Sequence, residues 1–297
     1  MAYPTLRQLQ FFESVSRNKS FSRAADECFV SQSTLSAGIK ELEAVLAAPL
    51  VDRSSRQFGL TPLGEDILKR TEEILGLARD MVRVAEARAP LTGDMRLGVI
   101  PTIGPFLLPQ VLSSLKAHYP DLRLYLREEL TEQLVDGLRA GRLDMAILAM
   151  PVEAEGLDTL IFAEDDFVFA CAPDHPLSRE KKIQTKALER EHLLLLEDGH
   201  CLRDHALSAC NLQTRDTAET FGATSLFTLT QMVRAGIGTT LLPQLAVKSG
   251  MAEAAGLTTL AVSDAQGGHP SRDLGLAWRR GSGREAEAKA LADLMVR

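Results

Sequence analysis

Around Pro90-Leu91-Thr92-Gly93 the hydrophobic pattern of the chain changes period, and this break constrains the fold more than any other feature. Before it, apolar residues recur at helical spacing. After it, short apolar runs of strand length alternate with helical stretches. Such a chain folds as a helical module followed by an α/β module. Its 297 residues suit two domains, or three small ones. A composition 45% hydrophobic and 25% charged can fill sizeable cores and excludes a disordered chain. The longest apolar runs, such as Leu193–Leu196, fall far short of the ~20 residues of a membrane helix, so no membrane partner is expected. MAYPTLRQLQ lacks the apolar stretch of a signal peptide, which sets the expectation of a cytoplasmic protein with reduced cysteines.

The helical module reads in detail. Leu6, Leu9, Phe12 and Val15 follow Thr5, an N-cap residue. Ser20 caps a second short helix, where Ala24, Ala25 and Cys28 permit close packing, and Phe29-Val30 forms a turn. Ser31 caps a third helix with an apolar face of Leu35, Ile39, Leu42 and Leu46. A small hairpin with a basic polar tip follows over residues 50–60. Thr61-Pro62 then opens a helix expected to run to about Ala89. Leu60, Ile67, Ile74 and Met81 recur every seven residues along it, and Leu63, Leu77 and Val84 supply most of a second row, a pattern suited to pairing with a copy of itself.

Beyond the break, Met95–Ile100, Leu122–Arg127, Met145–Met150 and Leu193–Leu196 read as strands. Pro105–Tyr119, Glu132–Ala140 and Lys186–Glu191 read as helices. The alternation predicts mostly parallel sheets, and the length predicts two subdomains. Gly236-Ile237-Gly238 lacks the third glycine of a dinucleotide fingerprint, so no cofactor is expected.

Two helices joined by a tight turn, the second opening on SQSTLS, have the layout of a DNA-binding helix-turn-helix. Ser31, Gln32, Ser33, Thr34 and Ser36 lie at the first turn of the second helix, where side chains can reach base edges. Lys40, Arg53 and Arg56 can reach phosphates, which position without specifying. The net charge of −7 argues against binding by bulk charge. Residues 1–90 carry 12 basic and 12 acidic side chains, so the whole excess lies in residues 91–297.

The segment from Leu6 to Glu65 resembles the winged helix-turn-helix of LysR-type transcriptional regulators. The Ala24-Ala25 pair, SQSTLS, Leu42-Glu43, Leu50 with Arg53, and LTPLGE carry the likeness. The resemblance implies a winged helix-turn-helix over residues 1–60, a linker and dimerisation helix over 61–90, and a regulatory domain over 91–297. The regulatory domain would be α/β, like periplasmic binding proteins. Its two subdomains would cover about 91–164 plus 269–297 and about 165–268. The resemblance further implies promoter DNA and RNA polymerase as partners, and a homo-oligomer built as a dimer of dimers.

The four cysteines are not equivalent. Cys28 and Cys171 lie in apolar surroundings and read as buried small hydrophobes. Cys201 and Cys210 lie in LEDGHCLRDHALSAC, after a strand and a glycine turn. A helix N-terminus, His200 and Arg203 would favour the Cys201 thiolate, whereas Asp198 and Asp204 would oppose it. A thiolate attacks peroxide to give a sulfenic acid, with which a second thiol can condense. If residues 201–210 form one helix, nine rises of about 1.5 Å put the Cα atoms roughly 13–14 Å apart. A disulfide needs about 7 Å or less, so bonding would require local refolding. From spacing alone three readings stay open: no special chemistry, redox sensing, or a zinc site of His200, Cys201, His205 and Cys210.

LLLLEDGHCLRDHALSAC also resembles the sensing segment of the peroxide-responsive branch of the same family, as do GVIPTIGPFLLP, MAILAMPVE and FGATSLFTLTQMVRAGIGTTLLP. The resemblance implies hydrogen peroxide as the signal, Cys201 as peroxidatic cysteine and Cys210 as resolving cysteine. It implies Thr102, Thr131, His200, Arg203 and Asp204 as groups of the peroxide pocket, with no metal and no enzymatic turnover. His205 stands where the pattern has Gln, and residues 211–217 depart from it. Two further readings remain: a LysR-type regulator that binds a small organic effector between its subdomains, and a thiol peroxidase.

Overall fold

Three capped helices open the chain in the computed structural model, which describes residues 2–52, 58–86, 89–152, 154–210, 212 and 222–296. Thr5 forms a capping box with Gln8 at the start of α1 (Leu6–Asn18). Ser20 caps α2 (Phe21–Glu27) and Ser31 caps α3 (Gln32–Leu46). Leu9, Phe12, Val15, Leu35, Ile39 and Leu42 meet in one core. Gly38 allows the close approach of α3 to α1, since a Cβ there would meet the Phe11 ring at 2.6 Å. Leu6 is exposed rather than packed. Cys28, at the end of α2, is half-buried, not buried as expected.

The hairpin pairs β1 (Val51–Asp52) with β2 (Gly59–Leu60). Its tip, with Arg53 and Arg56, lies outside the described residues. Thr61 caps α4 (Pro62–Glu86), its hydroxyl accepting from Gly64 N at 2.9 Å. The helix does not reach Ala89, which precedes Pro90 and is therefore biased away from helical backbone. Leu75 is buried against the helical core, while Ile74, Leu77, Met81 and Val84 are exposed.

The α/β unit contains β3 (Gly93–Val99), α5 (Gly104–His118), β4 (Leu122–Glu128), α6 (Thr131–Arg139), β5 (Met145–Met150) and β6 (Leu157–Cys171). There follow β7 (Lys182–Gln184), α7 (Thr185–Leu188), α8 (Cys201–Ala209), α9 (Leu226–Arg234), β8 (Thr240–Pro243), α10 (Gln244–Lys248) and α11 (Met251–Ala254). β9 (Thr258–Ser263), β10 (Ser271–Arg279) and α12 (Glu285–Met295) complete it. The sheet order is β4-β3-β5-β10-β6-β9-β7, with β8 also on β6.

The sheet is mixed rather than mostly parallel. β3 runs parallel to β4 and β5, but β10 is antiparallel to β5 and β6, and β6 is antiparallel to β8 and β9. β6 changes partners along its length: Leu157–Asp166 pairs with β10, and Phe167–Cys171 pairs with β8 and β9. Its centre, Glu164-Asp165-Asp166, breaks the apolar pattern that would announce a strand. Leu193–Leu196 makes two isolated bridges, Leu193 to Thr239 and Leu196 to Ala223, rather than a full strand. The helix expected over Lys186–Glu191 is the four-residue α7. No helix among the described residues is long and apolar enough to cross a membrane.

Candidate functional site

The first candidate site is the exposed start of α3. Ser31, Gln32, Ser33, Thr34 and Lys40 are exposed and Ser36 is half-buried, while Leu35 and Ile39 anchor the opposite face. Ser31 is occupied locally: its hydroxyl accepts from Thr34 N at 3.1 Å and lies 2.8 Å from both Ser33 Oγ and Thr34 Oγ1. It shapes the turn and leaves Gln32 as the longest side chain presented there. Phe29, at the apex of the preceding turn with φ 55°, is 94% exposed.

The second site surrounds Cys201. α8 spans Cys201–Ala209 with Cys210 as its C-cap, so one helix separates the two cysteines. Both are free thiols. Cys201 is half-buried at the first turn; Cys210 is buried in the core with Phe106, Leu202 and Ala206. Burial pushes the Cys210 thiol up to about 12, and Cys171, buried on β6, up to about 11.

The Cys201 thiol is also held above its ordinary value. Burial is the main cause. The nearby Thr131 hydroxyl and the Arg272 charge pull the other way, and Asp204 adds to the rise. Arg203, expected to favour the thiolate, instead pairs with Asp198. His200 is the N-cap residue of α8, but its side chain makes no capping bond. Burial lowers its imidazole below the ordinary value, against the pull of Glu197.

Arg272 organises this pocket, and the sequence reading did not single it out. From β10 its Nη1 donates to Thr102 Oγ1 at 2.9 Å and its Nη2 donates to the Thr102 carbonyl at 3.0 Å. Its Nε and Nη2 donate to Asp165 Oδ2 on β6 at 3.1 and 2.9 Å. Asp165 Oδ1 accepts from Leu245 N, at the start of α10, at 2.8 Å. Thr102, in the turn between β3 and α5, is buried. Because its oxygen accepts from Arg272, its hydroxyl proton is free for another acceptor.

Thr131 is the first residue of α6 rather than its cap, since the carbonyl of Leu130 accepts from Leu134 N at 3.0 Å. Its hydroxyl is thereby released from capping. Among the described residues the buried Oγ1 completes no well-formed hydrogen bond, although it faces the Cys201 thiol closely enough to ease ionisation. The site therefore offers two oriented hydroxyls and a guanidinium to a small polar molecule at a half-buried thiol. The alternative zinc quartet is not assembled: among the described residues no three His, Cys, Asp or Glu side chains gather at metal-binding range. Of the segment after Cys210, residues 211 and 213–217 lie outside the described residues.

Known proteins share both sites' framework. Residues 6–65 match the model of the bacterial regulatory helix-turn-helix protein, lysR family, and residues 88–297 match the LysR substrate binding domain. The chain is 39% identical to the HTH-type transcriptional regulator EstR of Acinetobacter baylyi, over 100% of this chain and 97% of that one. It is 40% identical to a probable hydrogen peroxide-inducible genes activator of Streptomyces viridosporus, over 97% and 92%. Full-length OxyR of Pseudomonas aeruginosa, a cysteine-to-aspartate variant, superposes with a TM-score of 0.83 at 32% identity, covering 99% of this chain and 95% of that one. A cysteine-to-serine variant of Corynebacterium glutamicum OxyR with hydrogen peroxide bound gives 0.68 at 34%, covering 100% and 92%. With both family models matched and these likenesses running its full length, the chain belongs to the LysR family of helix-turn-helix transcriptional regulators and closely resembles its OxyR members.

Proposed function

We propose that this regulator senses hydrogen peroxide through Cys201 and passes the signal on by forming a disulfide with Cys210. One observation carries the reading: a half-buried thiol faces the Thr131 hydroxyl, which has no hydrogen-bond partner among the described residues, and the Arg272 guanidinium, which in turn holds Thr102. A peroxide needs donors and acceptors at both oxygens, and the two hydroxyls supply them. The Cys201 sulfur attacks one oxygen and the O–O bond breaks. The thiol proton ends on the departing hydroxide, leaving a sulfenic acid and water. Cys210 then displaces that hydroxyl as a second water and closes the S–S bond. α8 must unwind for this, because intact helix holds the two Cα atoms roughly 13–14 Å apart.

The wider reading follows the same frame. Residues 1–60 dock on promoter DNA through Gln32, Ser33, Thr34, Ser36, Lys40, Arg53 and Arg56, with Ser31 shaping the turn. Residues 61–90 pair two chains, residues 91–297 regulate through subdomains of about 91–164 plus 269–297 and about 165–268, and pairs assemble into a cytoplasmic tetramer that engages RNA polymerase. Cys201→Ser tests it: promoter binding should persist, and its response to peroxide should vanish. The likeness to EstR, whose name carries no peroxide, keeps one other reading in view: a small organic effector bound between the regulatory subdomains. Under it the serine variant would respond as the unaltered chain does.

A further inference from the structure

Arg272 is fully buried, and a buried guanidinium is well suited to clamp a carboxylate or a phosphate. Here both of its forked edges are already closed. Asp165 Oδ2 accepts from Nε and Nη2 at 3.1 and 2.9 Å, which fills one edge. Thr102 fills the other, its hydroxyl oxygen accepting from Nη1 at 2.9 Å and its carbonyl from Nη2 at 3.0 Å. Of the five guanidinium N–H groups, a single one on Nη1 keeps no partner among the described residues. The Asp165 carboxylate is pinned in turn, because its buried Oδ1 accepts from Leu245 N at 2.8 Å. We propose that Asp165 determines what this pocket admits: by closing one fork of Arg272 and cancelling its charge, it reserves the site beside Cys201 for a small uncharged molecule and shuts out anions.

An anion added at Arg272 would leave the buried group with a net negative charge and no donor to satisfy it. Among the described residues, the other bases around α8 add no free cation. Arg203 pairs with Asp198, and burial holds the His200 and His205 imidazoles below their ordinary range. Asp204, in the first turn of α8, sets a negative charge against the partial positive charge of that helix end. What remains is a set of neutral groups. Thr102 Oγ1 accepts from Arg272 and so presents its proton outward. The buried Thr131 hydroxyl, without a partner among the described residues, can donate or accept. Such a set matches an uncharged molecule with a donor and an acceptor on each of two adjacent atoms, which describes hydrogen peroxide. The identity of that molecule rests on the peroxide-sensing reading; the exclusion of anions rests on the ion pair.

The test compares the reduced full-length chain with Asp165→Asn, using formate as the anion at constant ionic strength. Formate is close to peroxide in size and carries the charge that peroxide lacks. Two rates are followed by quenched mass analysis: oxidation of Cys201 by hydrogen peroxide, and its alkylation by iodoacetamide, which needs no peroxide chemistry. In the unaltered chain, formate up to about 50 mM should change either rate by less than about twofold. In Asp165→Asn it should slow both rates about tenfold, as a Kd of about 5 mM requires, and raise the melting temperature. Asp165→Ser opens the same fork a second way, should the amide disturb Leu245 N. Folded variants as indifferent to formate as the unaltered chain overturn the proposal. So does an unaltered chain that formate slows about tenfold, a result that needs no variant. A chain whose Cys201 resists peroxide while the formate contrast in alkylation holds overturns the peroxide reading and supports the exclusion of anions.

Discussion

Arg272 brings a full charge to a place where its side chain is 0% exposed, and Asp165, 4% exposed, is what makes that tolerable. Removing one partner leaves the other charge buried and unpaired. Arg272→Met should therefore destabilise the chain by roughly 3–5 kcal/mol, while adding Asp165→Leu should recover much of the loss. Urea unfolding of both variants checks this. The residue was hidden in the sequence for a physical reason. It sits in PSRDLGLAWRR with Arg279 and Arg280, and only the register of β10 turns it inward. The cysteines were more legible, since a Gly turn followed by Cys201 marks a helix start. The groups acting on the thiol were not, because Thr131 and Arg272 arrive from α6 and β10, far away in the chain.

At the scale of elements, the proposed disulfide makes α8 the part that would have to give way. Its C-terminal turn holds Cys210 in the core, and the bond to Cys201 cannot close until that turn melts. Ser208 is exposed near the end of the helix, so substitutions there act on helix stability with little effect on packing. Ser208→Gly and Ser208→Ala differ by about 1 kcal/mol in helix propensity. If unwinding limits the rate, disulfide formation after peroxide should be about fivefold faster in the glycine variant than in the alanine variant, read by rapid quench and mass analysis. Equal rates would place the slow step elsewhere. Elements with strong caps, such as α1, α3 and α4, were legible from Thr5, Ser31 and Thr61. β6 was not, because an acidic triplet occupies its centre, and the antiparallel pairings of β10 depend on contacts remote in sequence.

For the molecule as a whole, charge and exposed apolar surface point to assembly. Residues 1–90 are formally neutral, so the proposal assigns DNA affinity to a few placed cations and to the docking of two copies together. In the proposed pairing the heptad residues of α4 would supply the means: Ile74 is 45% exposed, Leu77 59% and Met81 75%. Ile74→Glu with Leu77→Glu should shift sedimentation toward a single chain and weaken promoter binding steeply, leaving the thermal stability of the fold nearly unchanged. A variant that still sediments as the unaltered chain does would separate α4 from self-association. The helix-turn-helix and the heptad helix were readable because their contacts are local. The cysteine pocket was readable only as a motif, because its geometry depends on how β6, β10, α6, α8 and the turn between β3 and α5 converge.

The central claim is that peroxide converts two thiols at opposite ends of α8 into one bond. Mass mapping of disulfides in the reduced full-length chain, before and after a single equivalent of hydrogen peroxide, tests it most directly. The account predicts free Cys201 and Cys210 before, and a Cys201–Cys210 linkage after, with Cys28 and Cys171 unchanged. Peroxide treatment that leaves Cys201 and Cys210 unlinked would contradict it.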